Sequence, residues 1–156
     1  MTVLQLEKFT PQVLSSIEVA QRQAQKLGRS IAGAEDLLFG VMYYERLTPP
    51  HKVVVIMKDV FKTTRYDVDQ AVRQISLRPV DDYDSNDQLT KGANTALEEA
   101  AARAREGVFA NRFDVMVGLA RCKDPILLRV LEILDISPIR LELVMCNSLF
   151  WTAGKS

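Results

Sequence analysis

The sequence predicts an all-α protein in which two pseudo-symmetric four-helix repeats pack as one helical domain. Apolar residues recur at three- and four-residue steps through most of the chain, which places them on one face of a helix. Hydroxyl or acidic residues followed by proline mark several helix starts, because these side chains cap a helix and proline needs no amide donor there. The whole pattern then occurs a second time in the same order. The length of 156 residues fits one domain.

The first repeat spans about residues 9–76 and opens with the Thr10-Pro11 helix start. Its first helix is predicted to end at Gly28, the usual residue after a helix C-terminus. The next three helices are predicted over about residues 35–44, 52–61 and 65–77. The run Val53-Val54-Val55-Ile56 has high strand propensity. We nevertheless predict a helix there, since nothing else in the chain offers a strand partner.

The second repeat spans about residues 89–149 and follows a polar, acidic, turn-rich stretch at 77–88, which predicts a linker. Leu89-Thr90 matches Phe9-Thr10 at an offset of 80 residues. The segment 114–119 matches 36–41 at an offset of 78. Self-similarity in a fixed order indicates an internal repeat. Asp124-Pro125 and Ser137-Pro138 predict the starts of its third and fourth helices.

The balance of charge argues against a nucleic-acid partner. The chain carries 20 basic and 20 acidic side chains, and residues 1–76 and 89–156 are each close to neutral. Nucleic-acid binders normally carry a basic excess, because phosphate neutralisation supplies most of their affinity. No apolar run reaches the roughly 18 residues of a membrane span, and no secretory signal is visible at the N-terminus. We expect a cytoplasmic protein, or one of the plastid stroma if a transit peptide has been removed.

The chemistry-bearing residues do not form a catalytic or metal-binding pattern. Cys122 and Cys146 lie in apolar helical stretches, where two buried free thiols in a reducing compartment are favoured over a disulfide. His51 is the single histidine and follows two prolines, so we expect an exposed loop residue. It has neither the neighbours of a metal site nor those of a nucleophile motif. The sequence thus predicts no enzyme, no metal and no cofactor.

Three segments of the first half carry a family resemblance: Phe9-Thr10-Pro11, residues 20–28 (AQRQAQKLG) and residues 33–41 (GAEDLLFGV). They resemble one repeat of the Clp N-terminal domain family. The ending Leu131-x-x-Leu134-Asp135-Ile136-Ser137 of the second half resembles the end of that repeat. The resemblance covers about residues 7–149 as two repeats, and the first is the closer match. It implies the helical Clp N-domain fold and a surface that docks adaptors and substrates.

The resemblance also bears on the role of the chain. No Gly-x4-Gly-Lys-(Ser/Thr) motif is present, so ATP is not bound in the P-loop manner. The chain is then either an excised N-domain or a stand-alone relative similar to the ClpT-type proteins. We expect a non-catalytic adaptor or accessory module whose partners are a Clp ATPase, the Clp protease core or substrate proteins. The alternative is a fold of this kind recruited as scaffold or regulator of an unrelated protein complex.

Glu35 and Asp36 form the sharpest candidate protein-binding site. The resemblance implies that the glutamate at the start of the second helix helps to hold a cationic group, such as phosphoarginine on a tagged substrate. Ala34 and Asp36 stand where the family has threonine and histidine, and Phe113 occupies the glutamate position in the second half. Alternatively, the two acids complement the helix dipole, an effect of about 0.3–1 kcal/mol.

Tyr43 and Tyr44 form a second candidate protein-binding site. They begin a loop that is longer and more aromatic than residues 121–124, the corresponding loop of the second half. Tyrosine is enriched among the anchor residues of interfaces. The loop is therefore either a partner-docking element or a connection with one tyrosine packed into the core.

Overall fold

The structure, a computed structural model, describes residues 6–45, 47–75, 89–104 and 108–153, with side chains described as far as Asn147. The described residues form an all-α protein, as predicted. A short 3-10 helix spans Leu6–Lys8. The α-helices are α1 (Pro11–Lys26), α2 (Ala34–Met42), α3 (Lys52–Phe61), α4 (Arg65–Gln74), α5 (Lys91–Arg103), α6 (Arg112–Arg121), α7 (Pro125–Ile133) and α8 (Pro138–Ala153).

Side-chain caps set the helix starts that the sequence predicted. Thr10 accepts a hydrogen bond from the amide of Val13 at 3.3 Å, and Thr90 accepts one from Ala93 at 3.2 Å. The run of β-branched residues in α3 is helical. The second helix begins one residue before its predicted start and ends at Met42 rather than at residue 44. The predicted linker at 77–88 lies outside the described residues.

The two repeats exchange backbone hydrogen bonds at equivalent positions. The amide of Thr10, which begins repeat one, donates to the carbonyl of Ala110 at 3.0 Å, just before α6 of repeat two. The amide of Thr90, which begins repeat two, donates to the carbonyl of Ala32 at 2.8 Å, just before α2 of repeat one. The isolated parallel bridges Phe9–Ala110 and Ala32–Leu89 accompany these bonds. Each repeat therefore accepts a backbone hydrogen bond from the first residues of the other, as a pseudo-twofold arrangement requires.

Two glycines allow the same close helix crossing in each repeat. A Cβ atom on Gly40 of α2 would overlap the carbonyl oxygen of Ser16 on α1. A Cβ atom on Gly118 of α6 would overlap the carbonyl oxygen of Ala96 on α5. Only glycine fits where two helix backbones come this close. The matched glycines thus fix how the first two helices of each repeat pack.

The third and fourth helices of the two repeats correspond at an offset of 73 residues. Lys62 follows α3 with a φ of 54°, and Asp135 follows α7 with a φ of 58°. Thr64 caps α4, and the hydroxyl of Ser137 accepts a hydrogen bond from the amide of Arg140 in α8. The same offset makes His51 the equivalent of Asp124, since these residues are the N-caps of α3 and α7.

The buried apolar side chains of both repeats form one cluster. Its centre is built from α2 and α6, in which nearly every residue is buried. Helix α2 contacts helices α5, α6 and α7 of the other repeat. The core therefore runs through both repeats without a break between them. The largest fully buried side chains are Leu37, Leu38, Met42, Met57, Leu97, Met116, Leu119, Leu127, Leu131, Leu141 and Met145.

Candidate protein-binding site

The carboxylates of Glu35 and Asp36 are buried at the start of α2, with residue exposures of 3% and 0%. Asp36 accepts a hydrogen bond from the amide of Gly33 at 2.8 Å, which caps the helix. The guanidinium of Arg29 donates to both oxygens of Asp36, at 2.6 and 2.8 Å. The same guanidinium lies 3.5 Å from the carboxylate of Glu35. The protein thus supplies its own cation to both acids, and an incoming cation has to compete with Arg29.

The second repeat retains only part of this arrangement. Asp114 caps α6 by accepting from the amide of Asn111 at 2.9 Å, and it pairs with Arg103 at 3.3 Å. Burial raises the pKa of the Asp114 carboxyl, while Asn111 and Arg103 act against that rise. Phe113 takes the position that Glu35 has in α2. The two helix starts therefore share a capping aspartate paired with an arginine, but only the first adds a second acid.

Tyr43 and Tyr44 are organised by an arginine that the sequence analysis did not select. The guanidinium of Arg65, at the start of α4, lies 5.0 Å from the ring centroid of Tyr43 and 4.7 Å from that of Tyr44. It also donates a hydrogen bond to the backbone carbonyl of Tyr44. A third ring, that of Tyr66, lies 5.2 Å away and is mostly exposed. Both loop tyrosines are half-buried, so they pack on the protein and still present an edge to solvent.

A cleft of about 430 Å³ lies where three helices begin. We call it the three-helix cleft, and it joins the two repeats. Its walls come from Thr10 and Gln12 at α1, residues 50–53 at α3, and residues 111–113 at α6. None of these lining residues is acidic, whereas Lys52 and Arg112 are basic. Helix N-termini carry a partial positive charge, so the helix ends and the two basic side chains all contribute positive charge to the cleft.

His51 lies in this cleft, and the prediction of an exposed loop histidine is wrong. The residue is half-buried and forms the N-cap position of α3. Its ring nitrogens are shielded from solvent and make no hydrogen bond of good geometry. Burial and the charge of Arg112 lower the pKa of His51 to about 4, although the nearby carbonyls of Tyr43 and Val41 act to raise it. Two prolines before a histidine predict an exposed loop, but here His51 directly precedes α3 and packs against the protein.

Arg112 is the most distinctive charge in the cleft. It is half-buried at the first position of α6, and burial lowers the pKa of its guanidinium. It has no acidic partner among the residues that the structure describes. Arg29 and Arg103, which are also half-buried, both pair with an aspartate. A half-buried cation without a counter-charge favours binding of an anion.

Sequence reasoning did not find the cleft, because its walls come from three segments separated by about 40 to 60 residues. One signal was available: Arg112 is a basic residue in the first turn of a helix, where the dipole disfavours a positive charge. The arginine that pairs with Asp36 was also missed. Arg29 follows the left-handed Gly28, and its direction depends on a loop that the sequence pattern does not define.

The described residues contain no group of three or more histidine, cysteine, aspartate or glutamate side chains that would hold a metal ion. Cys122 and Cys146 are both free thiols, but they are half-buried rather than buried as predicted. Burial raises the pKa of the Cys122 thiol to about 11. Within the described part of the chain, none of the helices has the length and apolar character needed to cross a membrane.

Comparison with known proteins identifies the fold. No family model and no curated protein sequence matches the chain. Among solved structures, it is similar to the N-terminal domain of the caseinolytic protease associated chaperone ClpD from Arabidopsis thaliana, with a TM-score of 0.74. The likeness covers 96% of this chain and 99% of that domain at 19% sequence identity. The protein therefore has the fold of a Clp N-terminal domain, as the sequence resemblance implied.

Proposed function

We propose that this chain is a non-catalytic protein-binding module of a Clp-type ATP-dependent protease or chaperone. As an adaptor or accessory subunit, it docks a substrate, another adaptor, the Clp ATPase or the protease core on a preformed helical surface. The observation that carries the proposal is the fold shared with the ClpD N-terminal domain over nearly the full length of both chains. With this role we propose a cytoplasmic location, or the plastid stroma if a transit peptide has been removed.

Two accessible features support docking on a preformed surface. The three-helix cleft is concave and lined by side chains from α1, α3 and α6, which the shared core holds in place. The Arg65–tyrosine cluster presents aromatic edges that need no rearrangement, since Arg65 already orders Tyr43 and Tyr44. Ordered aromatic and arginine side chains are typical anchors of protein interfaces. Both features are suited to recognition.

Affinity purification of the tagged chain from its source organism, followed by quantitative mass spectrometry, tests this proposal. We expect enrichment of Clp ATPase or Clp protease subunits over a tag-only control. Recovery of another complex without Clp subunits would refute the proposal and support the alternative of a scaffold or regulator elsewhere. Activity of the purified chain on a panel of hydrolase and transferase substrates would contradict its non-catalytic character.

The Glu35 hypothesis has a separate test. If Glu35 and Asp36 bind a phosphoarginine group, the wild-type chain captures arginine-phosphorylated protein and Glu35→Ala does not, with the helical circular dichroism unchanged. Arg29 neutralises these acids in the structure, so the group has to displace the Arg29 guanidinium. Absence of capture by the wild type would end the hypothesis.

A further inference from the structure

We propose that the three-helix cleft binds a carboxylate from an acidic segment of a partner protein. The inference rests on the proposed function, since it names the ligand class of a protein-binding surface. Three helices begin at the cleft, and Lys52 and Arg112 add positive charge without an acidic residue in its walls. Helix N-termini and arginine are the groups that proteins use to bind anions. Thr10 caps α1 and Asn111 caps α6, so the start of α3 is the one that is open.

The first turn of α3 is not capped by a side chain. His51 occupies its N-cap position but makes no side-chain hydrogen bond to the helix. The first amides of a helix have no partner within the helix itself, so they need an acceptor from elsewhere. Lys52 and Val53, which begin α3, line the cleft. An acceptor placed in the cleft is therefore in position to meet these amides.

The equivalent place in the second repeat shows which acceptor fits. Asp124, the counterpart of His51, accepts a hydrogen bond from the amide of Leu127 at 2.9 Å and thereby caps α7. Its carboxylate packs against Gly92 at the start of α5, so closely that a Cβ atom there would overlap it. Gly92 is the counterpart of Gln12, at the offset of 80. In repeat two, a buried carboxylate of the protein joins the third helix to the first.

In repeat one, the starts of the first and third helices have the equivalent positions. The three-helix cleft lies there in place of the Asp124 carboxylate. His51 carries no negative charge, and Arg112 replaces the apolar Ala34 of the equivalent position. The cleft thus has the basic residues Lys52 and Arg112 where the equivalent positions hold Pro125 and Ala34, and it has His51 and Phe113 where they hold the acids Asp124 and Glu35. A carboxylate of the partner restores the arrangement around Asp124 and adds a charge-assisted, bidentate contact with Arg112. A guanidinium or ammonium group meets no acidic side chain in the walls of this cleft.

The test is a titration of the 15N-labelled full chain, followed by amide chemical shifts. The probes are acetylated and amidated tetraglutamate, tetraglutamine and tetraarginine peptides, together with inorganic phosphate. We expect tetraglutamate to shift the amides of Gln12, Lys52, Val53 and Phe113, and tetraglutamine and tetraarginine to leave them unchanged. Equal shifts with tetraglutamine, or shifts with tetraarginine, would overturn the proposal. So would shifts with phosphate in the absence of shifts with tetraglutamate.

Two variants test the role of Arg112 against a matched control. Arg112→Gln is expected to raise the Kd for tetraglutamate about tenfold or more, since a hydrogen bond to a charged group is lost. Arg129→Gln makes the same substitution on the exposed side of α7 and should bind like the wild type. Equal Kd values for these two variants would overturn the assignment of Arg112.

His51→Asp is the most selective variant, because it places a carboxylate where repeat two has one. It is expected to abolish tetraglutamate binding and to raise the Tm by a few degrees, since the new side chain caps α3. A variant that merely disrupts the fold lowers the Tm. Retained binding, or a lower Tm, would therefore overturn the proposal.

The outcome separates this inference from the proposed function. If tetraglutamate binds the cleft but no Clp subunit co-purifies, the proposed function fails and the ligand class stands. If Clp subunits co-purify and Arg112→Gln binds tetraglutamate like the wild type, the ligand class fails and the proposed function stands.

Discussion

Arg29 is the residue that determines the state of the Glu35–Asp36 pair. Its side chain is 14% exposed, and it forms a bidentate contact with a fully buried carboxylate. Removing one member of a buried ion pair leaves an uncompensated charge in a poorly solvated place. The neighbouring Glu35 adds a second negative charge to that place.

We expect Arg29→Met to lower the free energy of unfolding by about 3–5 kcal/mol, the usual cost of breaking a buried ion pair. Arg73→Met is the control, because Arg73 pairs with Asp69 on the surface at 46% and 21% side-chain exposure. It should cost no more than about 1 kcal/mol. Urea denaturation measures both values. Similar costs for the two variants would show that Arg29 does not compensate buried charge.

His51 gives the stability of the protein a defined pH dependence. Folding lowers its pKa from 6.5 to about 4. Well above pH 6.5 the ring is neutral in both states and contributes no pH dependence. As the pH falls from 6.5 to 4, the unfolded chain takes up a proton that the folded chain does not, so stability decreases. Below about pH 4 both states are protonated and the decrease stops.

We therefore expect the stability difference between wild type and His51→Gln to shift against the wild type between pH 6.5 and 4. Subtracting the variant removes the contribution of the carboxyl groups, which titrate in both proteins. Urea denaturation at closely spaced pH values measures this difference. A difference that is constant over this range would contradict the burial of a neutral His51.

At the residue scale, the sequence predicted contacts between residues close together in the chain, but it did not predict contacts between distant residues. The Thr10, Thr90 and Asp124 caps were predictable because each side chain meets an amide three residues away. The partner of Asp36 and the surroundings of His51 depend on loops and on the other repeat. Those contacts follow from tertiary packing, which residue spacing along the chain does not reveal.

At the scale of elements, helix positions followed from periodicity and caps, whereas helix crossings did not. Gly40 and Gly118 fall at the same position of the matched segments 36–41 and 114–119. Their role as points of closest approach emerged only from the position of the Ser16 and Ala96 carbonyls. The valine run of α3 shows the reverse case. This segment is helical despite its strand propensity, since the chain provides no strand to pair with.

We expect Gly40→Ala and Gly118→Ala to lower the free energy of unfolding by similar amounts, about 1–3 kcal/mol each, because both new methyl groups overlap a backbone carbonyl. Ser15→Ala on the exposed side of α1 is the control and should change stability by no more than about 0.5 kcal/mol. Thermal and urea unfolding measure these values. A neutral effect at either glycine would contradict the equivalence of the two crossings.

At the scale of the whole molecule, the two repeats are equal in fold and unequal in surface. The exchanged bonds of Thr10 and Thr90 preserve the pseudo-twofold arrangement in the core. On the surface, repeat one has the Glu35 pair, the Arg65–tyrosine cluster and an open start of α3, whereas Asp124 fills the equivalent place in repeat two. The repeat was visible in the sequence, and so was the loss of the second acid at Phe113. The cleft was not visible, because it exists only where both repeats meet.

The central proposal is that the surface around the three-helix cleft recognises proteins of a Clp-type system. The most direct measurement is photo-crosslinking in the source organism with a photoreactive amino acid at Lys52 in the cleft, and at the exposed Lys91 as control. Mass spectrometry then identifies the crosslinked proteins. We expect a Clp subunit, or a substrate of the Clp protease, to be crosslinked from position 52 and not from position 91. Crosslinking only to an unrelated complex, or equally from both positions, would contradict the claim.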